Sequence, residues 1–261
     1  MTILDHIVAY KKKEIAAKKE AYAMNLFESS MLFDRPVISL ATALKNSDTG
    51  IIAEHKRRSP SKSVINEKAD LPDVVSGYQE AGVSAISVLT DTRFFGGSIE
   101  DLLLARSTVT IPLLRKEFII DPYQLFEARA AGADAILLIA AILTKEQLSH
   151  LATVAKSLQL EVLLEVHNEE ELSKSPLENI DLLGVNNRDL KTFEVSTDIS
   201  KELASRIPSH LMKVSESGLS RPETILELRE YGYNGFLMGE HFMRESNPGR
   251  SASEFIKNLR S

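Results

Sequence analysis

The chain of 261 residues contains no cysteine. That excludes disulfides, thiolate metal sites and a cysteine nucleophile, but it does not exclude any compartment. Long hydrophobic runs are also missing. The longest, Ala135 to Leu143, is nine residues against the roughly 20 that a spanning helix needs, so no membrane segment is expected. Met1 to Lys13 lack the unbroken apolar stretch and small-residue cleavage site of a signal peptide, which makes the cytoplasm the expected location. Positive charge is outnumbered, with a net charge of −6. Generic nucleic-acid binding is therefore not expected, and any cluster of cations needs a local reason. No histidine pair has HExxH-type spacing, and neither a metal nor a cofactor is expected. Proline, glycine and serine do not accumulate into a linker, so the reading is one domain over residues 1–261, with a helical extension at 1–48 and the main body at 49–261.

What is present is a repeated alternation. Eight short apolar runs stand at Gly50–Glu54, Ala85–Leu89, Ile111–Arg115, Ala135–Ile139, Val162–Val166, Leu182–Val185, Leu211–Val214 and Gly235–Met238. Helical patterns lie between them, with start signals at Asp121-Pro122, at Thr144, and at Ser220 with Pro222. Gly82, Gly132 and Gly232 follow helical segments where a left-handed residue ends a helix before the next strand. This order of elements predicts a parallel sheet, either a closed barrel or an open doubly wound sheet. No GxGxxG or GxxxxGK loop follows the first run, and polar residues mark nearly all the run ends rather than one switch point. Both features favour an α/β fold of the (β/α)8 barrel type, for which about 250 residues is usual. The extension predicts a packing helix with Ile3, Leu4, Ile7, Val8 and Ile15 on one face and Lys11, Lys12, Lys13, Lys18 and Lys19 mostly on others.

In such a barrel, the C-terminal strand ends converge on one mouth. Those ends supply Glu54 and Lys56 from the first strand, spaced to share a face, then Lys116 and Phe118 from the third and Glu165 from the fifth. The sixth supplies Asn186 and Arg188, and the seventh supplies Glu216, Ser217 and Gly218. Any one of these could be a solvated strand end or a structural ion pair. So many charges at one mouth require compensation by one another and by a ligand, because burying unpaired charge is expensive. SESGLSRPE after the seventh strand and MGEHFMR after the eighth place Gly218 and Gly239 where backbone amides can approach an anion. Loops after these two strands form the recurrent phosphate site of the fold, with a short extra helix that Glu240 to Met243 could begin. The Glu240 side chain is expected to point away from the anion while its backbone N–H contributes.

The motifs IAEHKRRSPS (52–61), LTDTRFFGGS (89–98), IPLLRKEFIIDPYQ (111–124), LLEVHNEEEL (163–172), GVNNRDL (184–190), VSESGL (214–219) and FLMGEHFMR (236–244) resemble, in order and spacing, the strand ends of the indole-3-glycerol phosphate synthase family. The resemblance covers nearly the whole chain, including the N-terminal helix. It implies a ring closure in tryptophan biosynthesis, in which 1-(2-carboxyphenylamino)-1-deoxyribulose 5-phosphate loses CO2 and water to give indole-3-glycerol phosphate. It further implies that Lys116 is the general acid on the ribulose carbonyl and that Glu165 handles protons in the dehydration, supported by Glu54 and Asn186. Arg188 and Lys56 match the positions that hold the carboxylate, with Ser59 nearby, and Lys56 stands within reach of the phosphate as well.

Phe95, Phe118, Leu137, Leu190 and Leu237 match the aromatic pocket, Glu216 and Ser217 further substrate contacts, and Ser217, Gly218, Gly239 and Glu240 the phosphate site. Two positions depart from the pattern: Gly96 stands where many relatives carry Asn, and Glu240 where others carry Ser. His55, His167 and His241 flank motif residues and are read as incidental. A monomer acting on a phosphorylated small molecule is expected. The nearest rival, the phosphoribosylanthranilate isomerase family, relies on a cysteine that this chain lacks. A catalytically inactive binding subunit would not need both Lys116 and Glu165.

Overall fold

In the computed structural model, which describes residues 2–60, 62–189 and 192–261, eight parallel strands close into a barrel. They are β1 (Ile51–His55), β2 (Ala85–Leu89), β3 (Leu113–Lys116), β4 (Ala135–Ile139), β5 (Glu161–Val166), β6 (Leu182–Asn186), β7 (Met212–Glu216) and β8 (Gly235–Met238). β1 pairs with β8 in the register Ala53↔Met238, which closes the ring.

Most strands carry apolar residues on both faces because each face meets a different core, although Lys213 and Ser215 alternate with the inward Val214 of β7. Ile52, Leu114, Leu137, Leu163, Leu182, Val214 and Leu237 point inward into one buried cluster. The alternating Ile51, Ala53, Ile86, Val88, Ile136, Leu138, Leu164 and Phe236 join an outer cluster beneath the surrounding helices. Leu40 and Leu44, on the short helix Leu40–Lys45, are fully buried in the inner cluster and plug the barrel at the end opposite the mouth.

The strands differ from their predicted bounds in ways that bear on the site. β3 starts at Leu113, not Ile111, since Pro112 has no N–H for the ladder. Gly50 lies outside β1 with φ +67°, and a Cβ there would stand 2.0 Å from the Asn234 carbonyl oxygen. β3, β6 and β7 run on to Lys116, Asn186 and Glu216, so these three side chains sit on hydrogen-bonded strand rather than in loops.

Helix starts follow the expected chemistry at two of three places. The Asp121 carboxylate accepts from the Tyr123 N–H at 2.9 Å ahead of Pro122–Ala130, and Thr144 forms a capping box with Gln147 ahead of Lys145–Ser157. Ser220 does not cap its helix. Pro222 takes the first helical position, which makes Arg221 the preceding residue, and no side chain caps that end. Gly82, Gly132 and Gly232 all have φ between +82° and +84°.

The N-terminal helix α1 (Ile3–Ala21) lies against the barrel and the helix Pro122–Ala130, tied by Lys18–Glu127 at 2.8 Å and Lys19–Asp121 at 2.7 Å. Lys11 is the exception among the lysines of this helix. It is not on a solvent face: it shares the i, i+4 line of Ile7 and Ile15 and is 1% exposed. Its ammonium is held by Glu14 at 2.9 Å, Asp91 at 3.0 Å and Glu117 at 3.1 Å. No helix among the described residues is long and apolar enough to cross a membrane.

Candidate active site

A cavity of about 390 Å³ opens at the C-terminal ends of the strands. Glu54, Lys56, Ser59, Phe95, Lys116, Phe118, Leu137, Glu165, Asn186, Arg188, Glu216, Ser217, Gly218, Leu237, Gly239 and Glu240 all line it. Every site residue expected from sequence is therefore at one mouth, except Leu190, which lies outside the described residues. Ile3, Leu4 and Ile7 of α1 also line the cavity, which sequence reasoning missed. Their apolar face was visible, but not what it covers.

The charged centre is built around Lys116. Its Nζ is 3.1 Å from Glu165 Oε2 and in direct contact with Glu216 Oε2. Burial works against the Lys116 charge, but the carboxylates of Glu216, Glu165 and Glu54 outweigh it and push the ammonium above the ordinary lysine range. For Glu165, burial is opposed by Lys116, by His167 and by the Asn186 amide, which donates to Oε1 at 3.1 Å, and the carboxyl is held well below the usual carboxylate range. Glu216 is driven the other way. Burial raises it, Lys116 offsets only part of that, and Glu165 and Glu54 add to it. Two carboxyls facing one ammonium are thus pushed apart in proton affinity, the usual basis for distinct acid and base roles.

Two glycines make room for this cluster. A Cβ on Gly184 of β6 would stand 2.2 Å from Glu216 Oε1, and one on Gly239 would stand 2.8 Å from Glu54 Oε1. Glu54 in turn accepts from Ser87 Oγ at 3.2 Å and holds Lys56 Nζ at 2.8 Å. Lys56 is consequently anchored beside the loop after β8.

The aromatic wall consists of Phe95 and Phe118, with ring centroids 5.7 Å apart, together with Leu137 and Leu237. Asp91 positions Phe95 by accepting from the Phe94 and Phe95 N–H groups at 2.6 and 3.2 Å. At the opposite side, Ser217 and Gly218 both have left-handed backbone, φ +69° and +75°. That conformation is strained for a serine, and such strain concentrates at ligand sites. Gly239 precedes the short helix Glu240–Met243 predicted from sequence. The Glu240 carboxylate is engaged by Lys62 at 2.8 Å, and this contact draws its proton affinity down. The Arg188 guanidinium donates to the Phe193 carbonyl at 3.2 Å at the rim.

His167 is not incidental. Its Nε2 is 3.3 Å from Glu165 Oε1, off the hydrogen-bond axis, and its Nδ1 is 3.1 Å from Glu171 Oε2. Burial works against its charge, but the two carboxylates outweigh it and raise the ring to about 10. A folded value above the unfolded 6.5 means the stabilisation is complete below pH 6.5 and is lost as pH rises through about 10. Replacing His167 with Gln is therefore expected to cost on the order of 2–4 kcal/mol at pH 6 and little at pH 10. Urea midpoints at pH 6, 8 and 10 test this, and an equal loss at all three would show that the imidazolium is not the source.

The family model for indole-3-glycerol phosphate synthase matches residues 4–255. A Bacteroides thetaiotaomicron protein named indole-3-glycerol phosphate synthase is 46% identical over 257 residues, 98% of each chain. A Salinibacter ruber protein of the same name is 46% identical over 97% of this chain and 94% of its own. Among solved structures, a mutant tryptophan synthase alpha-subunit from Pyrococcus furiosus aligns with TM-score 0.62 at 14% identity, covering 82% of this chain and 98% of that one. Thiamine phosphate pyrophosphorylase from the same organism aligns with TM-score 0.60 at 16% identity, covering 85% and 98%. At such identities these two speak to the barrel fold alone.

Proposed function

The chain belongs to the indole-3-glycerol phosphate synthase family, and from that premise we propose how its own residues close the ring. The reaction of the family joins the carboxyl-bearing aromatic carbon of 1-(2-carboxyphenylamino)-1-deoxyribulose 5-phosphate to the ribulose carbonyl, then releases CO2 and water. The observation that carries the assignment of roles is the Lys116 ammonium, set between Glu165 and Glu216 in the mouth.

Negative charge develops on the carbonyl oxygen as the new bond forms, and Lys116 donates the proton that quenches it. The adjoining carboxylates keep Lys116 charged until that moment. Glu165, kept ionised, accepts the proton lost from carbon as the indole aromatises, with Asn186 holding its other oxygen. Glu54 positions Lys56.

Arg188 and Lys56 hold the two anions of the substrate, with Ser59 beside them. The phosphate lies against Ser217, Gly218, Gly239 and the Glu240 backbone, where the loops after β7 and β8 meet. Phe95, Phe118, Leu137 and Leu237 clamp the aromatic ring so that the reacting carbons meet. Leu190 completes this pocket in the reading from sequence. The extension and barrel form one domain, acting as a monomer in the cytoplasm.

The direct test mixes purified protein with the carboxyphenylamino substrate and follows indole fluorescence, and a flat trace would reject the reading. A binding prediction accompanies it. Arg188→Ala is expected to raise KM for the carboxylated substrate by about tenfold or more, the scale of one lost charge-assisted contact, with kcat changed less. An unchanged affinity in titration would remove Arg188 from that role.

A further inference from the structure

The proposed ring closure has a proton balance that its mouth residues do not meet alone. The attacked carbonyl oxygen gains one proton, the hydroxyl gains another on leaving as water, and carbon gives one up on aromatisation. The carboxylate departs as neutral CO2 and carries no proton away. One proton is therefore drawn from solution in each turnover, while a bound substrate fills the cavity.

Behind Glu165 lies a second cavity, an outer groove of about 1240 Å³ between α1 and the loops after β5 and β6. His167 and Glu171 line this groove, whereas Glu165 lines the mouth. His167 thus stands in the wall between the two spaces, 3.3 Å from Glu165 on one side and 3.1 Å from Glu171 on the other. Glu171 also accepts the His167 backbone N–H at 2.8 Å and the Asn168 side-chain amide at 3.1 Å, so it is fixed as a holder for the ring. Asp5, Lys12, Lys174, Arg188, Asp189 and Glu194 are the other charged side chains lining the groove.

Resting on the reaction proposed above, we propose that His167 and Glu171 form the proton inlet of this enzyme, reloading Glu165 and through it Lys116 from water in the outer groove. The imidazolium N–H bond facing the mouth breaks and an O–H bond forms on the Glu165 carboxylate. The carboxylic acid so made faces Lys116 across 3.1 Å and restores its ammonium once it has become an amine. The ring, now neutral, turns its bare nitrogen to the groove and takes a proton from water, with the Glu171 carboxylate stabilising the recharged form. His167 touches no reacting atom in this scheme and acts through Glu165 as a positioning and relay residue.

The test compares wild type, His167→Gln and Glu171→Gln in steady state across pH, with and without imidazole in the buffer. For His167→Gln, kcat should fall by about tenfold or more, the lower range for a lost proton-transfer group, while KM changes by about twofold at most. Added imidazole should restore the rate in proportion to its concentration and leave wild type unchanged. For Glu171→Gln, the alkaline fall in kcat should move to lower pH, because the ring loses a carboxylate that keeps it charged. A His167→Gln enzyme with wild-type kcat, or a slow one that imidazole does not rescue, would overturn the inlet. If that variant does not fold, an unmoved alkaline limb in Glu171→Gln does the same. Failure of the functional reading is distinct, since wild type itself would then form no indole.

Discussion

Lys116→Ala is expected to abolish ring closure, lowering kcat by roughly 10²–10⁴-fold, the range for removal of a positioned proton donor, while substrate affinity stays within about an order of magnitude. The asymmetry follows from where the side chain stands. Lys116 lies among carboxylates at the reacting centre, whereas the proposed anion contacts rest on Arg188, Lys56 and the loops after β7 and β8. Removing the ammonium also leaves Glu165, Glu216 and Glu54 facing one another in a buried space. Like charges there raise proton affinity, so the variant should take up a proton that wild type does not. Single-turnover indole fluorescence and a binding titration with the substrate check the two halves. A variant retaining wild-type turnover would remove Lys116 as the acid.

Lys11→Ala is expected to cost about 3–5 kcal/mol of folding stability, the scale of breaking a buried ion pair and stranding its partners. Asp91 and Glu117 are fully buried beside it. Asp91 also caps the turn that carries Phe95, and Glu117 accepts from the Phe118 N–H at 2.8 Å and from Thr90 Oγ1 at 2.8 Å. Losing the shared cation therefore disturbs both rings of the aromatic wall, and kcat/KM should fall along with stability. Urea unfolding should remain a single transition, since α1 and β3 share this cluster. Adding Glu117→Gln to Lys11→Ala should return part of the lost stability, because one stranded charge is gone. No recovery in the double variant would mean that unpaired carboxylates are not the source of the loss.

The barrel and most of its mouth were legible in the sequence for one reason. When a strand is covered on both faces, an ionisable residue in or just after it is conspicuous: Glu54 and Glu165 interrupt otherwise apolar runs, and Lys116 and Glu216 stand just after runs that each carry one further cation, Arg115 and Lys213. Their spacing placed them at corresponding strand ends, and parallel closure brought those ends together. Lys11 was not legible because its burial depends on Asp91 and Glu117, which stand 80 and 106 positions further along. A lysine on a helix reads as solvated until its partners are known. His167 was misread for a related reason: Glu165 is two residues away in an extended strand, but Glu171 reaches it only because the chain turns into a helix. For Glu240, expected to point away from the anion, the partner was not legible, since the lysine that engages it, Lys62, comes from the loop after β1.

Gly184 and Gly239 matter for anyone who would redesign this mouth for a different substrate. The leucines and phenylalanines around the rim present surfaces that could be reshaped one at a time. Beside Glu216 and Glu54, however, the backbone leaves only as much space as hydrogen occupies. A methyl group at either position would evict a carboxylate from its niche, so libraries that vary the rim should leave both positions untouched.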